Sequence, residues 1–285
     1  DKRGDKRSAK ICMEKAMEYR RDPRLLFEYQ QLLKNMNVPP ADRLAVYDAY
    51  PDLLRERDDC YLDRIVILCE LGRYKEAIDA AKIKHFHIYE GGEGNLTKQH
   101  AWMHVLYANE LAAQGNNAEA EKYYHDGVNM PKSYGEAKTF FNQESHLYYF
   151  LGCLLESEGR MEEAEKAFRE ATVYKATVSE LSLFRALAMQ KLMNFSEAEA
   201  VLYEMIEAGE KLINDCDLRT YYGVGSPTPM PFENDIIKKN TVQGAIFKAF
   251  AFLGLGKREL AEEAMNMARS QDPYNFSVYA FDQIK

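Results

Sequence analysis

The sequence predicts an all-α protein, an αα-superhelix of about five to six stacked helix pairs with loops inserted between the pairs. Two observations carry this prediction: a segment that joins two helices recurs five times, and no convincing strand pattern lies between its copies. The chain has 285 residues and is 46% hydrophobic, which is enough for a substantial core. The repeats replace the two globular domains that this length would otherwise suggest.

The five copies align without gaps. In each copy a helix ends near a turn, and a second helix opens with an acidic residue and has Ala at a fixed position, as helix stop and start signals require. The copies are "ELGRYKEAIDAA" at 70–81, "AQGNNAEAEKYY" at 113–124, "SEGRMEEAEKAF" at 157–168, "KLMNFSEAEAVL" at 191–202 and "GLGKRELAEEAM" at 254–265. Their shared alanines are Ala77, Ala120, Ala164, Ala198 and Ala261.

Residues 145–172, "SHLYYFLGCLLESEGRMEEAEKAFREAT", carry the fullest form of the pattern. They resemble the tetratricopeptide repeat (TPR), and its signature positions hold Leu151, Gly152, Gly159, Ala164, Phe168 and Ala171. Gly152 and Ala164 are predicted to be small because the two helices cross closely there, with Phe168 beside the crossing. In the fourth copy, Met193 stands where the turn usually has Gly. The resemblance implies a TPR solenoid.

The predicted domain organisation has three parts. Residues 1–10 are predicted to be a linker or the cut edge of a longer protein. Residues 11–56 contain two amphipathic helix patterns with Pro near a helix start, which predicts a degenerate repeat that caps the stack. Residues 57–285 are predicted to form the TPR solenoid itself.

Three loop insertions are predicted from the spacing of the repeats. The intervals between successive alanines are 43, 44, 34 and 63 residues, whereas a bare repeat of this kind has about 34. The turns within the pairs are short, so the excess lies between pairs, near 88–96, 130–139 and 209–240. Connections between pairs emerge at one edge of such a stack, and we expect the three insertions to form one docking surface.

The first insertion overlaps "HFHIYEGGEGN" at 85–95, a stretch that could be a metal site, an anion-binding loop or a connector. Four histidines fall near it, but no HExxH motif is present, and the glycines alternate with acids without completing a phosphate-binding loop. We therefore predict a tight surface loop, no metal and no cofactor. The loop residues predicted to contact a partner are Tyr89, Glu90, Glu93, Tyr221 and Tyr222.

A groove along the first helices of the pairs is the second predicted binding region. The TPR resemblance implies that one face of each first helix lines this groove. That face is mostly apolar and aromatic, which favours binding of an apolar segment, a helix or a neighbouring domain. The predicted groove residues are Leu62, Val66, Trp102, Val105, Asn109, His146, Tyr149 and Phe250.

Composition and motifs restrict the function. A net charge of −8 disfavours binding to nucleic acid or to an anionic membrane surface, and no apolar run is long enough to span a bilayer. The five cysteines show no CxxC spacing, which favours a reducing compartment and a cytoplasmic location. No catalytic motif is evident, so the chain is predicted not to be an enzyme.

A narrower resemblance rests on "RDPRLLFEYQQLL" at 21–33, "HFHIYEGGEG" at 85–94 and "YYGVGSPTPMPFENDIIKKN" at 221–240. Together they resemble the C-terminal TPR region of bacterial proteins whose N-terminal domain, of unknown function, is similar to mutarotase-type β-sandwiches. This implies an interaction scaffold that docks an upstream domain, with a possible carbohydrate connection through that domain. The alternative is an accessory domain that contributes loop residues to a carbohydrate-binding or carbohydrate-processing site.

Overall fold

The computed structural model describes residues 4–87, 92–135, 144–173, 177–215 and 236–285. Within these ranges all regular structure is helical and no strand occurs. The all-α class of paired helices is therefore confirmed. The chain divides into two compact units: of the described residues, unit 1 contains 4–87, 92–93, 133–135 and 236, and unit 2 contains 94–132, 144–173, 177–215 and 237–285.

Unit 1 is built from the first six helices. They are α1 Lys6–Tyr19, α2 Pro23–Asn35, α3 Pro40–Ala49, α4 Pro51–Glu56, α5 Asp58–Glu70 and α6 Tyr74–Ile83. Three of these helices begin at Pro, whose fixed φ suits the first helical turn and whose missing N–H is not needed there. Helix α1 begins at Lys6, inside the segment 1–10 that was predicted to be a linker.

A buried polar cluster joins α2, α3 and α5 in unit 1. The Arg43 guanidinium is buried and forms an ion pair with Asp63, and it also donates to the Gln30 side chain at 3.1 Å. The Tyr47 hydroxyl donates to Asp63 at 2.8 Å. Because each buried polar group has a partner, this cluster fixes the predicted cap against the first TPR-like hairpin without leaving an unpaired charge inside.

Unit 2 is built from the remaining helices, α7 Asn95–Ala113, α8 Asn117–Val128, α9 Ser145–Ser157, α10 Met161–Thr172, α11 Ser182–Lys191, α12 Phe195–Ile213, α13 Ile236–Gly254, α14 Arg258–Gln271 and α15 Phe276–Ile284. A short 3₁₀ turn, Lys132–Tyr134, follows α8. Successive pairs pack in chain order, since α8 contacts α9 and α10 contacts α11. None of the described helices is long and apolar enough to cross a membrane.

The five repeated turns have one backbone geometry. In each turn one residue has a left-handed φ between 64° and 80°: Gly72, Gly115, Gly159, Met193 and Gly256. The next N–H donates to the carbonyl five positions earlier, at 2.8–3.0 Å, in every case: Arg73 to Leu68, Asn116 to Leu111, Arg160 to Leu155, Asn194 to Met189 and Lys257 to Phe252. This is the Schellman arrangement that ends a helix. Four of the five turns use Gly, and Met193 takes the same conformation with a side chain.

The close helix crossings predicted from small residues are confirmed. All five repeated alanines are buried. A methyl group placed on Gly152 would lie 2.5 Å from Cε1 of Phe168, which is closer than carbon atoms can approach. The α9–α10 pair therefore depends on the absence of a side chain at residue 152.

Candidate functional site

The segment 84–87, which leads from α6 into the first predicted insertion, is anchored by Phe86. This side chain is buried in unit 1 and meets the rings of Tyr61 on α5 and Tyr134 edge to face, with centroid distances of 5.9 and 5.6 Å. The Phe86 N–H donates to the carbonyl of Ser133 at 2.9 Å. Tyr134 and Ser133 belong to the second predicted insertion, so the segment 84–87, which leads into the first insertion, packs against the second one.

Asp58, the first residue of α5, fastens both ends of the segment 84–87. Its carboxylate pairs with Lys84 Nζ at 2.6 Å and accepts from the His87 N–H at 2.6 Å and the His87 ring at 3.1 Å. Burial by itself would raise the pKa of Asp58, but the bonds from Lys84 and the His87 N–H outweigh it and lower that pKa. Asp58 is therefore ionised at neutral pH and holds the segment by charge-assisted hydrogen bonds.

Three exposed side chains lie along this anchored segment. Ile83, the last residue of α6, is 83% exposed. His85 and His87 are exposed as well, and their rings stack in parallel with centroids 5.4 Å apart. We call these three residues, with the anchors Phe86 and Asp58, the insertion surface.

Most of the loop residues predicted to contact a partner lie outside the described part of the chain. These are Tyr89, Glu90, Tyr221 and Tyr222. Glu93 is described and exposed, just before the Gly94 that precedes α7 with φ of 78°. Most of the third insertion also lies outside the described residues. The prediction of one surface made by all three insertions stays a prediction.

The histidines on α7 are packing residues. His100 and His104 are both buried, and their ring centroids are 4.1 Å apart. The His104 ring bonds the carbonyl of His100 at 2.8 Å, and the His100 ring bonds the carbonyl of Asp126 at 3.0 Å. Among the residues that the structure describes, no group of three or more His, Cys, Asp or Glu side chains could hold a metal ion.

The predicted groove residues divide into two sets. Four are fully buried and have no open surface to offer a partner: Trp102, Val105, His146 and Phe250. Four are half-buried: Leu62 and Val66 in unit 1, and Asn109 and Tyr149 in unit 2. Asn109 is already engaged, because its side-chain oxygen accepts from the Tyr124 hydroxyl at 2.6 Å. Binding by the half-buried residues stays a prediction.

The burial of Trp102 and Phe250 has a specific cause that the sequence analysis missed. Phe276 at the start of α15 contacts Trp102 with ring centroids 6.0 Å apart, and Phe281 contacts Phe250 at 5.5 Å. A local signal for α15 exists, since Asn275 caps the helix by accepting from the Ser277 N–H at 3.0 Å, after an Asp-Pro turn. Nothing local indicates that this helix covers Trp102.

His146 does not act as a proton switch at neutral pH. Burial, together with the charge of Lys98, lowers the pKa of His146 to about 3. Its ring packs against Trp102 at a centroid distance of 4.7 Å. The imidazole is therefore neutral under physiological conditions and serves as a packing group in unit 2.

Comparison with known families agrees with the turn geometry. A family model described as "Tetratricopeptide repeat" matches residues 145–175, the region of α9 and α10. Residues 145–175 therefore form a tetratricopeptide repeat. The match covers one repeat, and the four other hairpins share its left-handed turn residue, its hydrogen bond and its buried Ala.

Among solved structures, this chain matches the C-terminal part of a TPR repeat-containing protein from Cytophaga hutchinsonii. The two sequences are 14% identical over 91% of this chain and 99% of the other, with a TM-score of 0.25. A score this low carries no argument about the present chain. TPR repeats generally mediate protein–protein interactions and typically do not catalyse reactions themselves.

Proposed function

We propose that this chain is a non-catalytic interaction scaffold that docks a domain encoded upstream of it, and that the insertion surface receives that domain. The observation that carries the proposal is the anchoring of the segment 84–87 by Phe86 and Asp58. A stack of helix pairs does not need this segment, yet the segment is fixed by buried aromatic contacts and an ion pair. Ordering a loop costs roughly 1–2 kcal/mol per residue.

A loop that is already ordered binds a partner at lower entropic cost, because its side chains lose little freedom on association. Burial of a Phe side chain contributes about 2–3 kcal/mol to holding such a segment. Hydrogen bonds to an ionised carboxylate contribute roughly 1.5–3 kcal/mol each. The insertion surface is therefore suited to binding more than to linking helices.

The exposed side chains of the insertion surface suit an interface with a protein domain. Ile83 offers an aliphatic contact, and the stacked rings of His85 and His87 offer flat aromatic area. The centre of a protein interface is typically apolar and aromatic and is depleted in charged residues. The resemblance to bacterial proteins with an N-terminal β-sandwich supports an upstream domain as the partner.

The carbohydrate alternative depends on loop residues, Glu90 and Glu93 foremost, and Glu90 lies outside the described part of the chain. A cytoplasmic location forms part of the same proposal. The described cysteines Cys12, Cys60 and Cys153 are free thiols, which is the usual state in a reducing compartment.

The test is calorimetric titration of this chain with the upstream domain, which is cloned from the full-length gene and expressed as a separate protein. We expect saturable binding that Ile83→Asp weakens at least about tenfold, because a charge would be buried at the interface. The matched control is Met267→Asp, which makes a similar change at an exposed apolar residue of α14 and should leave the affinity unchanged.

Each result decides a different part of the proposal. If the unmodified chain does not bind the upstream domain, the docking function is wrong. If the unmodified chain binds the upstream domain but Ile83→Asp and Met267→Asp have equal affinities for it, the docking function stands and the domain does not bind at the insertion surface.

A further inference from the structure

An exposed row of four side chains on α1, in unit 1, alternates cationic and apolar residues. Its members are spaced four apart, so they follow one another along the same side of the helix, and all of them are exposed. Ile11 is 47% exposed and Tyr19 is 90% exposed. We call this set the α1 row: Arg7, Ile11, Lys15 and Tyr19.

An exposed row on α12, in unit 2, has the matching alternation with the opposite charge. Its members are again spaced four apart, and all of them are exposed. Phe195 is 56% exposed and Tyr203 is 45% exposed. We call this set the α12 row: Phe195, Glu199, Tyr203 and Glu207.

Each row lies on the outer side of its helix. Helix α1 packs on α2 and buries Met17, and α12 packs on α11 and buries Val201 and Met205. Single apolar residues scattered over a surface are ordinary and need no explanation. In these two rows, however, apolar and charged side chains alternate in order along the exposed side of a helix, which is a pattern that a second helix can match.

The charged side chains of the two rows are not neutralised within their own helices. Elsewhere an exposed charge has an opposite charge four residues along the helix, as Lys75 has in Asp79 at 2.6 Å. Lys15 and Glu199 instead have an apolar residue four positions away on both sides. None of the four charges in the two rows forms an ion pair with another residue that the structure describes.

The two rows match when their helices run antiparallel. The facing pairs are then Arg7 with Glu207, Ile11 with Tyr203, Lys15 with Glu199 and Tyr19 with Phe195. Every charge faces an opposite charge and every apolar side chain faces another. A parallel alignment of all four positions would place each charge against an apolar residue. Rows of residues spaced four apart pack into one another when the helix axes cross at about 50°.

The net charges of the two helices favour the same contact. Helix α1 has four basic and two acidic residues, a net charge of +2, and α12 has five Glu and one Lys, a net charge of −4. The whole chain has a net charge of −8, so two copies repel each other except where α1 of one copy meets an acidic surface of the other. Complementary charges of this kind fix the register and the direction of a contact.

We propose that two copies of this chain associate, with the α1 row of one copy packed antiparallel on the α12 row of the other. A second copy is the partner because the complement of each row is present in the chain itself. The apolar side chains contribute contact area, and the charges set the alignment. This inference goes beyond the docking of an upstream domain and uses no residue of the insertion surface.

Sedimentation velocity of the full chain over a series of concentrations tests the association. We expect a species larger than the monomer that grows with concentration. Its dissociation constant should rise with ionic strength, because salt screens exposed charges. A chain that stays monomeric throughout the series, or an association that salt does not weaken, would overturn the proposal.

Charge reversal locates the contact. The double variant Arg7→Glu, Lys15→Glu reverses the α1 row, and Glu199→Lys, Glu207→Lys reverses the α12 row. Each double variant should raise the dissociation constant at least about tenfold, because like charges then face each other. All four positions are exposed, so both variants should keep the helical circular-dichroism spectrum of the unmodified chain.

The matched control is Lys122→Glu, Lys166→Glu, which makes the same change of charge at exposed lysines of α8 and α10. At physiological ionic strength it should change the dissociation constant by less than about twofold, because charges more than about 8 Å from a contact are largely screened. If this control weakens the association as much as reversal of the α1 row does, the contact does not use α1 and the proposal is wrong.

A mixture of the two reversed variants gives the sharpest result. The reversed α1 row of one variant matches the reversed α12 row of the other, and the two unmodified rows also match. The equimolar mixture should therefore associate at least about tenfold more tightly than either variant alone. A mixture that associates no more tightly than its components would show that the two rows do not face each other, and the proposal would be overturned.

Discussion

The α9–α10 hairpin and the segment 84–87 are held in place in different ways. The hairpin depends on close packing distributed along two helices, with Gly152 against Phe168 and a turn of fixed geometry at Gly159. The segment depends on one buried ring and one carboxylate, Phe86 and Asp58. The hairpin recurs because its geometry follows from local residues, whereas the segment is specific because its two anchors are single contacts.

The largest loss of stability is expected at Phe86, the aromatic anchor of the segment 84–87. Phe86→Ala removes a ring packed between Tyr61 and Tyr134 and should lower the free energy of unfolding by about 3 kcal/mol, measured by urea denaturation. His85→Ala, an exposed neighbour, should change it by less than about 0.5 kcal/mol. Equal effects of the two substitutions would show that Phe86 does not anchor the segment.

The second largest loss of stability is expected where α9 packs closely against α10, at Gly152. Gly152→Leu forces a side chain into the space of Phe168 and should destabilise the protein by about 1–3 kcal/mol. Glu165→Leu, on the exposed side of α10, serves as the control and should have little effect. Unchanged denaturant stability of Gly152→Leu would mean that α9 and α10 do not cross at this residue.

The contribution of Asp58, the ionic anchor of the segment 84–87, to the free energy of unfolding should depend on pH. The pKa of Asp58 is lowered from its ordinary value of 3.8, so its contribution is present above that value and is lost as the pH falls through the lowered pKa. Asp58→Asn should therefore cost about 1–2 kcal/mol at pH 7, and the difference from the unmodified chain should shrink below about pH 4. Thermal or urea unfolding of both proteins at pH 7 and pH 3 measures it. A difference that does not depend on pH would exclude the ionised carboxylate as the anchor.

The smallest effect compares two turns of the same geometry. Met193 has φ of 64° and is 72% exposed, so its side chain gains little there while its backbone is strained. Met193→Gly should stabilise the protein by about 0.5–1 kcal/mol, after allowing for the greater freedom of Gly in the unfolded chain. Gly159→Met, at the equivalent turn, should destabilise it by a similar amount. Loss of stability in Met193→Gly would show that the Met193 side chain makes a stabilising contact.

The features that could be predicted from the sequence are those with local signals. The five turns and the buried alanines follow from helix stop and start residues, and the small size of Gly152 indicates a close crossing. Helix α1 begins inside the segment 1–10, where Asp5 accepts from the Ser8 N–H and caps the helix, and the predicted domain bounds stay a prediction. That cap is a local signal that the sequence analysis did not use.

The contacts that define the two candidate surfaces could not be predicted in the same way. Phe86 meets Tyr134 across 48 residues of sequence, and Trp102 meets Phe276 across 174. An aromatic residue in a loop or on a helix does not indicate which distant ring it will contact. The groove prediction named Trp102 and Phe250 from the repeat register, but the register carries no information about the helix that covers them.

The central claim is that the segment 84–87 is an ordered surface. Hydrogen exchange at two backbone amides of this segment tests it most directly. The Phe86 N–H donates to Ser133 and the His87 N–H donates to Asp58. Both amides should exchange at least about a hundredfold more slowly than in an unstructured peptide of the same sequence. Exchange at the rate of the unstructured peptide would contradict the account.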